Sequence, residues 1–267
     1  MPEFQSLPAQ PRRRRVIWVL DPLHTDQIDL EDAREIARRP ELAILESGAQ
    51  EYTDALVRSL DRAGLIQAGN VLLQSPFSEN YYELVDNASR AFALEKYTLL
   101  SHLAQLLGAV SVTVDAIENT RTGERTEIQA DGTLVGRGVK TNVRSDSTAD
   151  LSRAFRLFDE FPGSDPDIEL ARAFLEDHAL SQDGELANLI RSRDVPHNRM
   201  EHRTLTVDLS SESQRTLDVA ASISVPKFAN IKTDVKRIAS QAERLKVTYT
   251  IRFTASGSKG TSRKPRG

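Results

Sequence analysis

A chain of 267 residues, 39% apolar and 28% charged, can bury a core and has room for one large domain or two small ones. That excludes a disordered polymer, and no apolar run reaches the roughly 20 residues of a bilayer crossing. Without a single Cys, disulfides, iron–sulfur clusters, thiolate zinc sites and cysteine nucleophiles are excluded too.

No signal segment opens the sequence, so a bacterial-type cytoplasm is the expected compartment. The net charge of −4 is uneven: residues 1–15 carry +3, residues 256–267 carry +4, and the body between them carries −11. Both basic ends are rich in Pro, Gly or Ser and read as disordered tails, 1–15 and 255–267. Only these tails offer a nucleic acid any electrostatic contact, and it would be weak and salt-sensitive.

Val16 to Leu20 is a continuous apolar run, as in a strand buried on both faces, and Asp21-Pro22 ends it. Asp29 to Arg39 follows as a helix with acids in its first turn and Pro40 as its stop. Leu42 to Leu45 and Asn70 to Leu73 read as short strands around a helix from Tyr52 to Ala63 that Gly64 closes. Residues 16–75 thus form a small mixed lobe.

Tyr81 to Leu107 has the strongest helical periodicity in the chain, with Gly108 as its stop. Strands follow: Val110, Val112 and Val114 alternate with polar residues, and Thr122-Gly123 and Asp131-Gly132 punctuate a ribbon that runs on through Leu134 to Val143. Leu151 to Phe161 reads as a helix, Asp167 caps another, and Leu186 to Ile190 continues the helical pattern. Strict alternation then predicts strands at Leu205 to Leu209, Leu217 to Val225 and Val247 to Phe253, with a polar helix from Ile231 to Leu245.

Four short matches recur in order, Arg90-Ala91-Phe92 with Arg172-Ala173-Phe174 and Val112-Thr113-Val114-Asp115 with Leu205-Thr206-Val207-Asp208 among them. They suggest one helix-then-strands unit encoded twice, at about 81–144 and 168–236 within a body spanning 76–254, with an insertion near Ser192 to His202. The expected fold class is α+β: a small N-terminal mixed lobe plus this duplicated unit of long helix followed by antiparallel strands.

Chemistry-bearing residues gather in two places. Asp21 ends a buried strand, with His24 and Asp26 close behind, where open α/β sheets place phosphate and Mg²⁺ chemistry. The same acids also suit helix first turns. His197, Arg199, Glu201 and His202 lie in a charged stretch whose His spacing is wrong for a helical zinc pair, so partner contact is the expectation there. Ser101 and His102 are adjacent on a helix and cannot face each other as nucleophile and base.

No cofactor, metal or small molecule is implied. The expected function is a non-enzymatic binding or assembly protein of a cytoplasmic complex, acting through a protein partner or self-association. Two alternatives stand beside it: a metal-dependent phosphoesterase or nuclease centred on Asp21, and a pore-former whose amphipathic β-ribbons refold in a membrane.

Overall fold

The computed structural model describes residues 4–49, 52–121, 124–129, 134–135, 158–195, 199–242 and 244–254. The chain divides into two compact units, each assembled from separate stretches of sequence. The first takes residues up to Glu95, Asn119–Arg125 and Asp208–Leu245; the second takes Lys96–Glu118, Thr126–Val207 and Lys246 onward. The class is α+β, as the patterning requires.

In the first unit, β1 (Val16–Leu20) pairs in parallel with β2 (Leu42–Glu46) and antiparallel with β3 (Val71–Gln74), which pairs with β4 (Tyr82–Leu84). The order is β2-β1-β3-β4. All five residues of β1 are buried, as its unbroken apolar run demands. Ile17 and Val19 join Leu45, Leu72 and Leu60 in a core cluster, while Trp18 meets Phe228 edge-to-face at 6.0 Å.

Three helices link these strands. α1 (Pro22–Asp26) starts on Pro22, α2 (Leu30–Ala37) is opened by an Asp29–Asp32 capping box, and Asp54 caps α3 (Ala55–Arg62). Gly64 leaves α3 at φ +73°, the left-handed conformation expected of it.

The stretch expected as an N-terminal tail is built into this unit. Leu7 is buried, Glu46 donates its N–H to the Phe4 carbonyl, and buried Arg14 donates to the Pro8 carbonyl and to Asn80 Oδ1. An apolar anchor and a guanidinium held through both of its terminal nitrogens outweigh the Pro-rich, basic composition. The C-terminal tail, 255–267, lies outside the described residues.

The larger sheet, most of whose residues belong to the second unit, runs β7-β6-β5-β10-β9 in order, with β8 (Phe158–Glu160) also on β5. Its strands are β5 (Ala109–Arg121), β6 (Glu124–Gln129), β7 (Leu134–Val135), β9 (His202–Asp208) and β10 (Arg244–Phe253). Alternate residues of β10 are buried, among them Val247, Tyr249, Ile251 and Phe253, which is the one-sided burial their period of two predicts. Tyr97, from α4 (Val85–Leu106), stacks on Tyr249 at 5.7 Å.

Two further helices, α5 (Ile168–Asp177) and α6 (Gly184–Arg193), belong to this unit and carry Asp caps, Asp167 and Asp183. From the end of α6, Arg193 reaches across the core. It donates to the carbonyls of Leu107 (3.1 Å) and Met200 (2.5 Å), and its guanidinium lies 4.3 Å from the Phe253 ring centre. It therefore satisfies an orphan carbonyl at the α4 C-terminus.

Four expectations give way. Tyr82 to Leu84, expected to open the long helix, forms β4, because the tyrosine has a better place in the first unit. Its hydroxyl donates to the Arg14 carbonyl at 3.1 Å, and burial pushes its pKa up to about 12. Phe158 to Glu160, expected at the end of a helix, pairs with Ser111 to Thr113, and the rest of that predicted helix lies outside the described residues. A free stretch of β5 overrides local propensity there.

Leu217 to Val225, expected as a strand, lies mostly in α7 (Ser211–Ser222). Ser213, Leu217 and Ala220 are buried at helical spacing, and Val219 is only half-buried. The alternation of valines and isoleucine imitates a strand, but Glu212, Gln214, Arg215 and two alanines favour the helix. The polar helix expected from Ile231 runs earlier, as α8 (Ala229–Gln241), and Leu245 falls in β10.

The duplication is not confirmed. Residues 81–144 give one 22-residue helix followed by β5, β6 and β7. Residues 168–236 give two ten-residue helices, one strand, then α7 and the start of α8. Among the described residues the two element orders do not correspond, and Lys140 to Arg144, one half of a matched pair, lies outside them.

Candidate functional site

Two places collect the residues that the sequence singles out, one in each unit. In the first, Asp21 follows the C-terminal end of β1 in extended conformation and caps α1. Its Oδ1 accepts the His24 backbone N–H at 2.8 Å, and its Oδ2 meets His24 Nδ1 at 2.8 Å. The His24 backbone N–H, then its imidazole, hold the Asp21 carboxyl below the usual carboxylate range. A cavity of about 370 Å³ opens beside the pair, walled by Asp21, His24, Gln27, Lys227, Phe228 and Asn230 among others.

The cavity has a cation, but that cation is already engaged. Lys227 Nζ donates to the Gln27 carbonyl and to Asp32 Oδ2, the latter at 2.9 Å. Asp26, the third residue expected here, is exposed and is not part of the cavity wall. Among the described residues no group of three or more His, Cys, Asp or Glu could hold a metal ion. Asp21 Oδ1 already caps the start of α1 and Oδ2 is engaged by the His24 ring, so the carboxylate is accounted for as an N-cap.

The second place is the end of the larger sheet. Arg199 is ion-paired to Asp165 at 2.6 Å, whereas Glu201 and His202 are exposed at the start of β9. His197 lies outside the described residues. The charged stretch thus leads straight into a terminal strand. No described strand pairs on the far side of β9.

The register of β9 on β10 fixes which groups face that far side. Phe253 donates its N–H to the Glu201 carbonyl at 2.9 Å, and Leu209 donates to the Leu245 carbonyl at 2.8 Å. In an antiparallel ladder hydrogen-bonding direction alternates along the strand. Odd-numbered residues of β9 therefore bond to β10, and His202, Thr204, Thr206 and Asp208 turn their N–H and C=O groups away from it.

The side chains alternate as well. Leu205 and Val207 are buried, while His202, Thr204 and Thr206 are exposed. On the exposed face the hydroxyls of Thr204 and Thr250 lie 3.0 Å apart, as do those of Thr206 and Thr248, and Thr250 donates to Asp115 at 2.6 Å. Cross-strand Thr pairs of this kind stabilise a sheet.

Ser101 and His102 diverge as their helical spacing requires: Ser101 donates to the Asp159 carboxylate, and the His102 ring packs on Phe174 at 4.9 Å. No protein-family model, curated protein or solved structure matches the chain. No described helix is long and apolar enough to cross a membrane.

Proposed function

We propose that this chain is a non-enzymatic binding and assembly protein of a cytoplasmic complex, and that a protein partner adds a strand to β9. The observation that carries this reading is the composition of that edge. Between His202 and Asp208 there is no Pro, Gly or Lys, the residues that natural proteins place on terminal strands to discourage pairing. Its centre is Thr204, Leu205, Thr206 and Val207, which suit a strand meant to be paired, and the one Arg of the strand, Arg203, is ion-paired to Glu185 within its own chain. Outward N–H and C=O groups supply affinity in strand addition, and the alternate side chains supply choice of partner.

Thr206→Pro tests it. The Thr206 N–H faces away from β10, so proline removes a donor to a partner and none to the fold; an edge strand tolerates that. The chain isolated from its host should run well above its 29.7 kDa, and the Thr206→Pro chain should run as a single chain with an unchanged circular dichroism spectrum. Equal native masses for the two would contradict the reading.

A further inference from the structure

The geometry points to a second copy of this chain as the strand that β9 receives. The inference rests on the strand-addition reading and adds the partner and the register. β9 is self-complementary about Leu205 when two copies run antiparallel. Thr204 then stands opposite Thr206 of the second copy, and His202 stands opposite Asp208 of the second copy.

Three features of the strand favour that register. First, the outward-facing residues are His202, Thr204, Thr206 and Asp208, and this register sets each of them opposite another of the same set. About eight backbone hydrogen bonds follow, two for each of the four pairs. A slip by one residue would set outward groups against inward ones and turn Leu205 and Val207 to the solvent side of the joint.

Second, the side chains complete a row that each copy already carries. Thr250 and Thr204 pair at 3.0 Å, as do Thr248 and Thr206. Across the two-fold, one line of hydroxyls would run from Thr250 through Thr204 to Thr206 and then Thr248 of the second copy. The symmetry-related line repeats it. The polar face of one sheet becomes the polar face of a single continuous sheet.

Third, the threonines select this register among those that keep the backbone pairing. Thr204 meets Thr206 of the second copy at two places in the joint. A slip of two residues in either direction leaves a single Thr–Thr pair. Cross-strand Thr pairs are favourable.

The protein's lack of Cys makes cross-linking a clean test. Thr204→Cys and Thr206→Cys chains are purified separately, mixed, and exposed to mild copper-catalysed oxidation; each is also oxidised alone. Directly opposed Cα atoms lie within the disulfide range of about 4.4–6.8 Å, whereas two copies of position 204 are diagonal neighbours beyond it. The mixture should give a covalent dimer joining 204 to 206, at least ten times faster than either chain alone.

A mixture that cross-links no faster than the single chains would overturn the register. If the purified wild-type chain also sediments as a monomer while the host complex is lost on Thr206→Pro, strand addition stands and the partner is another protein. If Thr206→Pro leaves the host complex intact, both readings fall.

Discussion

Replacing Gly108 by Ala should cost the protein about 3–5 kcal/mol, a loss large enough to lower its melting temperature by roughly 10 °C. Gly108 follows α4 with φ +82°, where a non-glycine residue is strained. A Cβ there would stand 2.2 Å from the Ser164 carbonyl oxygen and 3.1 Å from its carbon. The obstacle is backbone, so no side-chain rotation relieves it. The Ser164 segment would have to move, and with it the start of α5 that follows.

Gly48→Ala is the internal control. Its φ is +75°, nearly the same, but nothing lies within 4 Å of the added carbon. Only the backbone conformation is penalised, at about 1 kcal/mol. Thermal unfolding followed by far-ultraviolet circular dichroism separates the two. Equal shifts would mean that the close approach of residue 164 does not exist in solution.

Lys96→Met should be the second large effect, about 3 kcal/mol of destabilisation. The Lys96 side chain is 1% exposed and its Nζ lies 3.0 Å from Asp183 Oδ2. Methionine fills much of the same volume, so cavity formation is a minor contribution. What the substitution leaves behind is the Asp183 carboxylate, 15% exposed, with its countercharge gone.

Asp183 also caps α6 through the N–H groups of Glu185 and Leu186, so Asp183→Asn keeps the cap and removes the charge. The double variant Lys96→Met with Asp183→Asn should therefore recover more than half of the loss, since the two residues are coupled. Urea unfolding of the four proteins gives that coupling directly. A double variant as unstable as the sum of the singles would show that the ion pair does not hold these elements together.

Much of this architecture is legible in sequence wherever one rule acts alone. β1 announces itself by five apolar residues in a row, β10 by strict alternation, and α3 by Gly64 after its end. The fold class follows from these. Legibility fails where local and distant preferences disagree. Leu217, Val219, Ala221 and Ile223 alternate as a strand would, but Ser213, Leu217 and Ala220 are buried at helical spacing while Val219 and Ala221 are only half-buried, and only the packed helix shows it.

The same conflict explains the candidate sites. Asp21 and His24 stand out in sequence because both carry chemistry, and the structure brings them together, each satisfying the other at the start of α1. The β9 edge gives no motif at all. Its signal is an omission, a strand without Pro, Gly or Lys, and it acquires meaning only once the sheet order places that strand last. His202 and Glu201 were visible as charged residues; the hydrogen-bonding direction of the strand they introduce was not.

Amide hydrogen exchange of β9, followed residue by residue as protein concentration is raised, tests the central claim most directly. In dilute solution the amides of His202, Thr204 and Thr206 should exchange quickly, because they face no described strand of their own chain, while those of Arg203, Leu205 and Val207 are protected by β10. At high concentration the even-numbered set should slow to match the odd. Even-numbered amides that are already protected at the lowest concentration, or that stay fast at the highest, would contradict an edge that pairs with its own copy.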